Sequence, residues 1–195
     1  MARWDPGTEE RLIKAALELY AEHGYDNVTV TQIAERAGIT RRSYFRYFPD
    51  KREVLFAGSE RLPTAIQQAV LAAAETSSPL STVLDALADV GAQLAEQVKN
   101  VAERRAVIDA SAELQERERT KFAAVTAAIR TALEQRGTET GMAHLVAQIA
   151  MVVFQSAFDQ WANANGQTDF VTCLRVAAAS LRDTVTADST NRTPG

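Results

Sequence analysis

Between Gly38 and Phe48 the chain reads GITRRSYFRYF, which gathers three arginines and four aromatic rings into about two and a half helical turns. These side chains suit one kind of chemistry. The planar guanidinium fork of Arg41 or Arg42 donates two parallel hydrogen bonds to guanine O6 and N7, and Arg46 and Lys51 add charge for phosphates at the rim. Ser43 and Tyr47, one turn apart, offer hydroxyls to phosphate oxygens on the same face. Taken alone, such a turn is more often simply a solvated helix face.

The charge distribution favours the binding surface. The whole chain of 195 residues carries a net −4 at pH 7. Yet Arg36, Arg41, Arg42, Arg46, Lys51 and Arg52 stand against Asp50 alone, a local excess of +5, and everything from Ala57 onward sums to −4. One basic patch on an acidic body predicts a polyanionic partner for one end of the molecule.

Other chemistries find no constellation. Of the two histidines, His23 sits beside a helix end, and His144 has no Cys or acidic neighbour at metal-ligand or triad spacing. No phosphate loop, H-E-x-x-H helix or nucleophile elbow is present. We therefore expect no enzyme, no metal and no cofactor. The single cysteine, Cys173, reads as a small core residue and excludes an internal disulfide. The N-terminus lacks a hydrophobic run, and the longest apolar run, Ile149 to Phe154, is far too short to span a bilayer. A cytoplasmic protein with no membrane partner is expected.

Several elements must position the arginines. Thr8 is placed to cap a helix reaching about His23, which Gly24 ends. Thr29 and Gln32 have capping-box spacing for a short second helix that Gly38 closes. Thr40 then caps the helix carrying the arginines, which Pro49 stops, with Tyr44 and Phe48 packing inward on Leu19, Ile33 and Ala34. Thr29 and Thr31 lie at the start of the second helix, where free N–H groups can clamp phosphate. Three helices in under fifty residues, the second pair joined by a Gly-containing turn, outline a helix-turn-helix.

The stretch LIKAALELYAEHGYDNVTVTQIAERAGITRRSYFRYFPDKREVL, Leu12 to Leu55, resembles the DNA-binding domain of TetR-family transcriptional regulators throughout. The matching positions include Ala16, Gly24, Tyr25, Thr29, Ile33, Ala34, Ala37, Gly38, Phe48, Lys51 and Leu55. The resemblance implies that Arg41, Arg42 and Phe45 face the bases while Thr29, Thr31, Ser43, Arg46, Tyr47 and Lys51 hold phosphates around the Thr40 cap. Two positions depart from the family pattern: Arg42, where a small residue is common, and Phe45, where Tyr is common. The second arginine favours G·C pairs, and Phe45 can press on a thymine methyl.

Past residue 50 the pattern continues as helices. One runs from Asp50 toward Ala74 and contains Pro63, where a kink is expected. Others fall at about 80–100, 102–110, 112–136, 140–164 and 168–186, and ELQERERTK reads as a solvated face. The expectation is an all-α protein of about nine helices. A helix-turn-helix domain spans 1–50, a larger ligand-binding and dimerisation domain 51–186, and a flexible tail 187–195. The helix at 140–164 is apolar nearly all round, so it must be buried on more than one side. With the resemblance, it and the helix at 168–186 become the homodimer interface. A pocket for a small, mainly apolar effector is expected among Leu62, Ile66, Leu87, Val90, Phe122, Val125, Phe154 and Phe158, with His144 or Gln155 as orienting groups. The function implied is a regulator, a repressor in most such proteins, that binds a palindromic operator in double-stranded DNA as a dimer. An activator of the same fold, a DNA-packaging protein and an all-helical enzyme are the alternatives.

Overall fold

In the computed structural model, which describes residues 7–74, 78–165 and 167–190, every helix and strand assignment is helical. The described residues form nine α-helices and two short 3-10 turns. Helix α1 spans Thr8–His23, α2 Val30–Arg36 and α3 Arg41–Tyr44. Then come α4 Leu62–Ala72, α5 Pro79–Gln97, α6 Val101–Asp109, α7 Ala112–Gln135, α8 Thr140–Asn163 and α9 Phe170–Thr190.

The caps explain most of these limits. Thr29 Oγ1 accepts the Gln32 N–H at 3.3 Å while Gln32 Oε1 accepts the Thr29 N–H at 2.8 Å, a complete capping box. The Thr40 hydroxyl accepts the Ser43 N–H at 3.1 Å and opens α3. At α1 the cap is Gly7, not Thr8, which is buried in the first turn and accepts a hydrogen bond from Arg11 Nη2 at 2.9 Å.

Two expectations are corrected between residues 50 and 74. No single helix runs across them. Asp50 Oδ1 accepts the Arg52 and Glu53 N–H groups at 2.8 and 3.2 Å and starts only a 3-10 turn, Glu53–Phe56. Gly58 then takes φ +81, a left-handed conformation that interrupts any helix, before a second 3-10 turn at Ser59–Arg61. Pro63 therefore kinks nothing. It lies in the first turn of α4, where its missing N–H has no helical acceptor to lose.

The chain divides into two units. The first runs through Glu60 and takes in Glu103–Thr120; the second comprises Arg61–Ala102 and the chain from Lys121 onward. This partition differs from a break at residue 50, because most of α6 and the start of α7 belong with the first unit. Each unit has its own apolar core. In the first, Leu12, Ile33, Tyr44 and Leu55 are fully enclosed together with Ile108 and Leu114. The charged run ELQERERTK is solvated on one side only: Glu113, Glu116 and Arg119 are exposed, whereas Leu114 is buried, and Arg105 and Glu118 pair at 2.7 Å with both side chains mostly covered.

In the second unit α5 packs on α4, α8 and α9, and α8 packs on α9. Arg136, just past α7, donates to the carbonyls of Val70, Leu71, Ala73 and Ala74 at 2.6–3.3 Å, so a cation meets the negative end of α4. Helix α8 is long and apolar enough to cross a bilayer by composition, but its Met151, Phe154, Ala157 and Trp161 are buried in this core. Cys173 is buried there too, and burial pushes its thiol pKa up. Helix α9 continues to Thr190, past the expected start of a flexible tail at 187; residues 191–195 lie outside the described residues.

Candidate nucleic-acid interface

Helix α3 is one turn long. Past Tyr44 the chain continues as tight turns, with Arg46 N–H bonded to Ser43 O at 3.1 Å and Tyr47 N–H to Tyr44 O at 2.9 Å. Short as it is, the segment is held firmly from beneath. Tyr44 is fully buried and its hydroxyl donates to Asp50 O at 3.0 Å; Phe48 packs beside it, ring centroids 5.8 Å apart. Tyr20 reaches from α1 to donate to Lys51 O at 2.7 Å. Burial pushes both phenol pKa values above the ordinary range, so Tyr20 and Tyr44 stay neutral donors.

Of the expected contact residues, Thr31, Arg41, Arg42, Phe45 and Arg46 are exposed, and Ser43 and Tyr47 are half-buried. Phe45 is 46 % exposed, large for an apolar ring, and the Arg41 guanidinium lies 5.6 Å from its centroid. Thr29 and Thr40 are exposed, but their hydroxyls are engaged in the two caps, and Thr40 Oγ1 also shares a proton with Ser43 Oγ at 3.0 Å.

The six cations of the basic patch separate into two groups. Arg36 is clamped by Glu18 and Glu22 of α1 at 3.3 and 3.0 Å, and its hydrogen bond holds the Glu22 carboxyl below the usual carboxylate range. Arg52 is bound to Asp50 at 2.8 Å and Glu113 at 3.5 Å. Burial raises the Asp50 pKa, but hydrogen bonds from the Arg52 side chain and the Glu53 and Arg52 N–H groups outweigh it, and the carboxyl ends below its ordinary value. Lys51 departs from the phosphate-holding role read from the sequence. Its Nζ donates to the carbonyls of Tyr25, Val28 and Asp26 at 2.9, 3.2 and 3.5 Å and lies 4.1 Å from the Tyr25 ring centroid. The ammonium's three protons all point back into the α1–α2 connection. Among the described residues Arg41, Arg42 and Arg46 form no ion pair. The excess charge available to a polyanion is concentrated on these three side chains.

A second set of residues escaped the sequence. Arg104 of α6 donates to Leu55 O at 2.8 Å, and its Nε is buried without a partner; burial lowers its pKa to about 10. Arg117 of α7 binds Glu53 at 2.6 Å. Together with Arg52–Glu113 these contacts fasten the α6–α7 segment to the chain directly after the arginine cluster. Pairings across roughly fifty to sixty residues leave no periodic trace in a single sequence.

Among the described residues, the apolar ones expected to line the effector pocket pack together in the core of the second unit. Leu62, Ile66, Leu87, Val125 and Phe154 are buried, and Val90, Phe122 and Phe158 pack against them. Phe154 is the hub of the rings, with Phe170, Phe122 and Phe158 at 5.6, 6.3 and 6.4 Å. The void beside them measures about 10 Å³, room for roughly one water. Gln155 is half-buried, whereas His144 is exposed: it follows the inward-facing Ala143, so the helical rotation of 100° per residue carries it out of the core. No group of three or more His, Cys, Asp or Glu side chains stands close enough to hold a metal among the described residues.

With this geometry in view, comparison with known proteins is informative. Residues 12–57 match the model of the bacterial regulatory proteins of the tetR family. The HTH-type transcriptional regulator TcmR of Streptomyces glaucescens is 43% identical over 68 residues, 35% of this chain and 28% of its own length. YvdT of Bacillus subtilis (strain 168), another HTH-type transcriptional regulator, is 27% identical over 101 residues, 52% of each chain. The chain thus spans about half or less of the length of these relatives. Solved structures extend the likeness over nearly the whole fold. SmeT, the repressor of the Stenotrophomonas maltophilia multidrug efflux pump SmeDEF, in its complex with triclosan, aligns with TM-score 0.57 at 20% identity, covering 89% of this chain and 91% of that one. NalD, the secondary repressor of the MexAB-OprM multidrug efflux pump in Pseudomonas aeruginosa, aligns with TM-score 0.58 at 17% identity, covering 91% and 96%. At these identities the structural likeness establishes the fold.

Proposed function

We propose that this chain, which belongs to the TetR family of bacterial regulatory proteins, is a sequence-specific repressor that grips a palindromic operator as a homodimer and releases it when a small effector binds. The observation that carries the proposal is the separation of the basic patch into tethered and free cations. Arg36, Lys51 and Arg52 are committed to partners inside the protein, while Arg41, Arg42 and Arg46 lie exposed on the capped turn after α2. A helix-turn-helix presents the leading residues of its second helix to base edges. Arg41 and Arg42 fill that position, Phe45 supplies an apolar surface for a thymine methyl, and Arg46 takes phosphate. Thr31 and the N-terminus of α2 add a backbone clamp.

Dimerisation is supported by the exposed face of α8 and α9. Leu145 and Val152, seven residues apart on α8, are 52 and 61 % exposed, and Val176 on α9 is 50 % exposed. This stripe of large apolar side chains at helical spacing is what a four-helix, two-fold contact would cover. Two recognition turns set about 34–36 Å apart then read a palindrome. That SmeT and NalD are named as repressors, and that SmeT was solved with triclosan, favours repression and an apolar effector held by the second unit. Such a protein works in the cytoplasm, without a membrane partner.

The test is fluorescence anisotropy with the intergenic DNA upstream of the chain's own gene, against scrambled DNA, at two salt concentrations. Wild type should prefer the intergenic DNA at both. The Arg41→Ala/Arg42→Ala variant should lose about 1–3 kcal/mol per base contact and, with it, the preference. Arg46→Ala should weaken binding to both DNAs alike and reduce the salt slope by about 1 per subunit. A double variant that binds as tightly and as selectively as wild type would remove these arginines from the interface.

A further inference from the structure

Helices α5 and α9 enclose a hollow of about 570 Å³ that contains none of the residues expected to bind an effector. It falls within the size of small-molecule sites, roughly 300–1,000 Å³. Phe170, the first residue of α9, rests on Gly91 near the end of α5, so the two helices lie side by side in opposite senses. The hollow follows them from Leu80 to Asp89 on one side and from Val171 to Arg182 on the other, a length of about 16 Å at 1.5 Å per residue.

Its floor is apolar: Leu80, Leu84 and Ala88 of α5 face Leu174, Ala178 and Leu181 of α9. Its edges are charged with opposite signs. Asp85 and Asp89 stand one turn apart on α5, and Arg175 and Arg182 two turns apart on α9. Among the described residues none of these four forms a salt bridge with another. Arg182 uses its Nε on Ala178 O at 3.3 Å, and Arg175 has the field of Asp169, which caps α9, without an ion pair. Like charges at i,i+4 weaken a helix, so the Asp85–Asp89 pair is a cost that the fold itself does not compensate.

We propose that this groove is a binding site for a linear zwitterionic amphiphile: an alkyl chain along the floor, a cationic group against Asp85 and Asp89, and an anionic group against the guanidinium forks of α9. Charge complementarity selects the class. All four charged residues are exposed at the rim, so a purely cationic ligand meets only the aspartates, a purely anionic one only the arginines, and a neutral one neither. The site stands apart from operator binding, and its test uses the protein alone.

Isothermal titration of the full-length chain with octyl sulfobetaine, a zwitterion with an eight-carbon tail, is compared with octyl glucoside, octyl trimethylammonium and octyl sulfate, all below their micelle concentrations. The sulfobetaine should bind one per chain and at least tenfold tighter than any of the other three. Asp85→Asn/Asp89→Asn and Arg175→Gln/Arg182→Gln should each weaken it tenfold or more, with octyl glucoside binding and the circular dichroism spectrum unchanged. Equal binding of sulfobetaine and glucoside, no binding of the sulfobetaine, or full binding by both charge variants would each overturn the proposal. So would sedimentation showing that the variants change the oligomeric state while sulfobetaine binding persists, since the face would then belong to a second copy.

Discussion

Gly91→Ala should destabilise this protein, although replacing glycine by alanine inside a helix ordinarily stabilises it by about 1 kcal/mol. Gly91 lies buried in α5, and a Cβ built on it would sit 2.3 Å from Phe170 Cε1, 2.9 Å from Cδ1 and 3.0 Å from Cζ. Normal carbon contacts are about 3.5–4.0 Å, so the ring must retreat by more than about 1 Å. It has little room: beyond the void of about 10 Å³, Phe170 is 3 % exposed, with the Phe154 ring centroid at 5.6 Å and that of Trp161 at 6.2 Å. Overpacking of this kind costs about 1–3 kcal/mol against a helical gain of about 1 kcal/mol, a net loss of up to about 2 kcal/mol. The sign is the sharper test. Phe170→Ala should itself cost about 3–5 kcal/mol by opening a cavity, but in that background Gly91→Ala meets empty space and should restore about 1 kcal/mol. Urea unfolding of the four proteins, followed by circular dichroism, measures the cycle, with a coupling of about 1–3 kcal/mol expected. If Gly91→Ala stabilises wild type and adds independently to Phe170→Ala, the close approach of α5 and α9 at this point is wrong.

Three further outcomes follow from the same structure. Lys51→Met removes a charged donor from three carbonyls and a cation from the Tyr25 ring, and should cost about 2–3 kcal/mol in urea unfolding; a loss under about 0.5 kcal/mol, together with weakened DNA binding, would return Lys51 to the phosphate backbone. The phenols of Tyr20 and Tyr44 have folded-state pKa values raised by burial above an unfolded value of about 10, so their contribution is complete below about pH 10 and is lost as pH rises above it toward the folded-state values. Stability should therefore hold level from about pH 7 to 9 and fall beyond about pH 10, with phenolate absorbance from these two residues appearing only as the protein unfolds; titration of all four tyrosines in the folded state would contradict this. Val152→Asp, at an exposed site on α8, should leave helical content intact while light scattering shows monomers, and should weaken operator binding; an unchanged dimer would move the interface off this face.

What the sequence discloses and what it hides divide along the range of the interactions. Caps are local, so Thr29 with Gln32 and Thr40 with Ser43 could be read from spacing alone, and the helices from residue 79 onward fall within a few residues of the periodic pattern. The exposed arginines of α3 were equally legible, because side-chain type and cap together fix their place on the first turn. Gly58 hides its effect: nothing in FAGSERLP distinguishes a left-handed glycine that ends a helix from a glycine carried through one, and so the pattern from 50 to 74 reads as continuous. Lys51 is ambiguous for a related reason. A lysine beside three arginines looks like part of a phosphate-binding surface until three carbonyls from residues 25–28 are brought under its ammonium, and that convergence is tertiary. The same holds for ELQERERTK, whose charges suggest solvent until Glu53 and Glu118 are found opposite Arg117 and Arg105. Charged residues are ambiguous in sequence because water and an opposite charge satisfy them equally well, whereas a buried Leu or Phe has only one kind of environment to prefer. For a chain with a helix-turn-helix this ambiguity matters most at the basic patch itself. Six cations mark the patch, and only the fold separates the three bound to groups of the protein itself from the three that form no ion pair among the described residues.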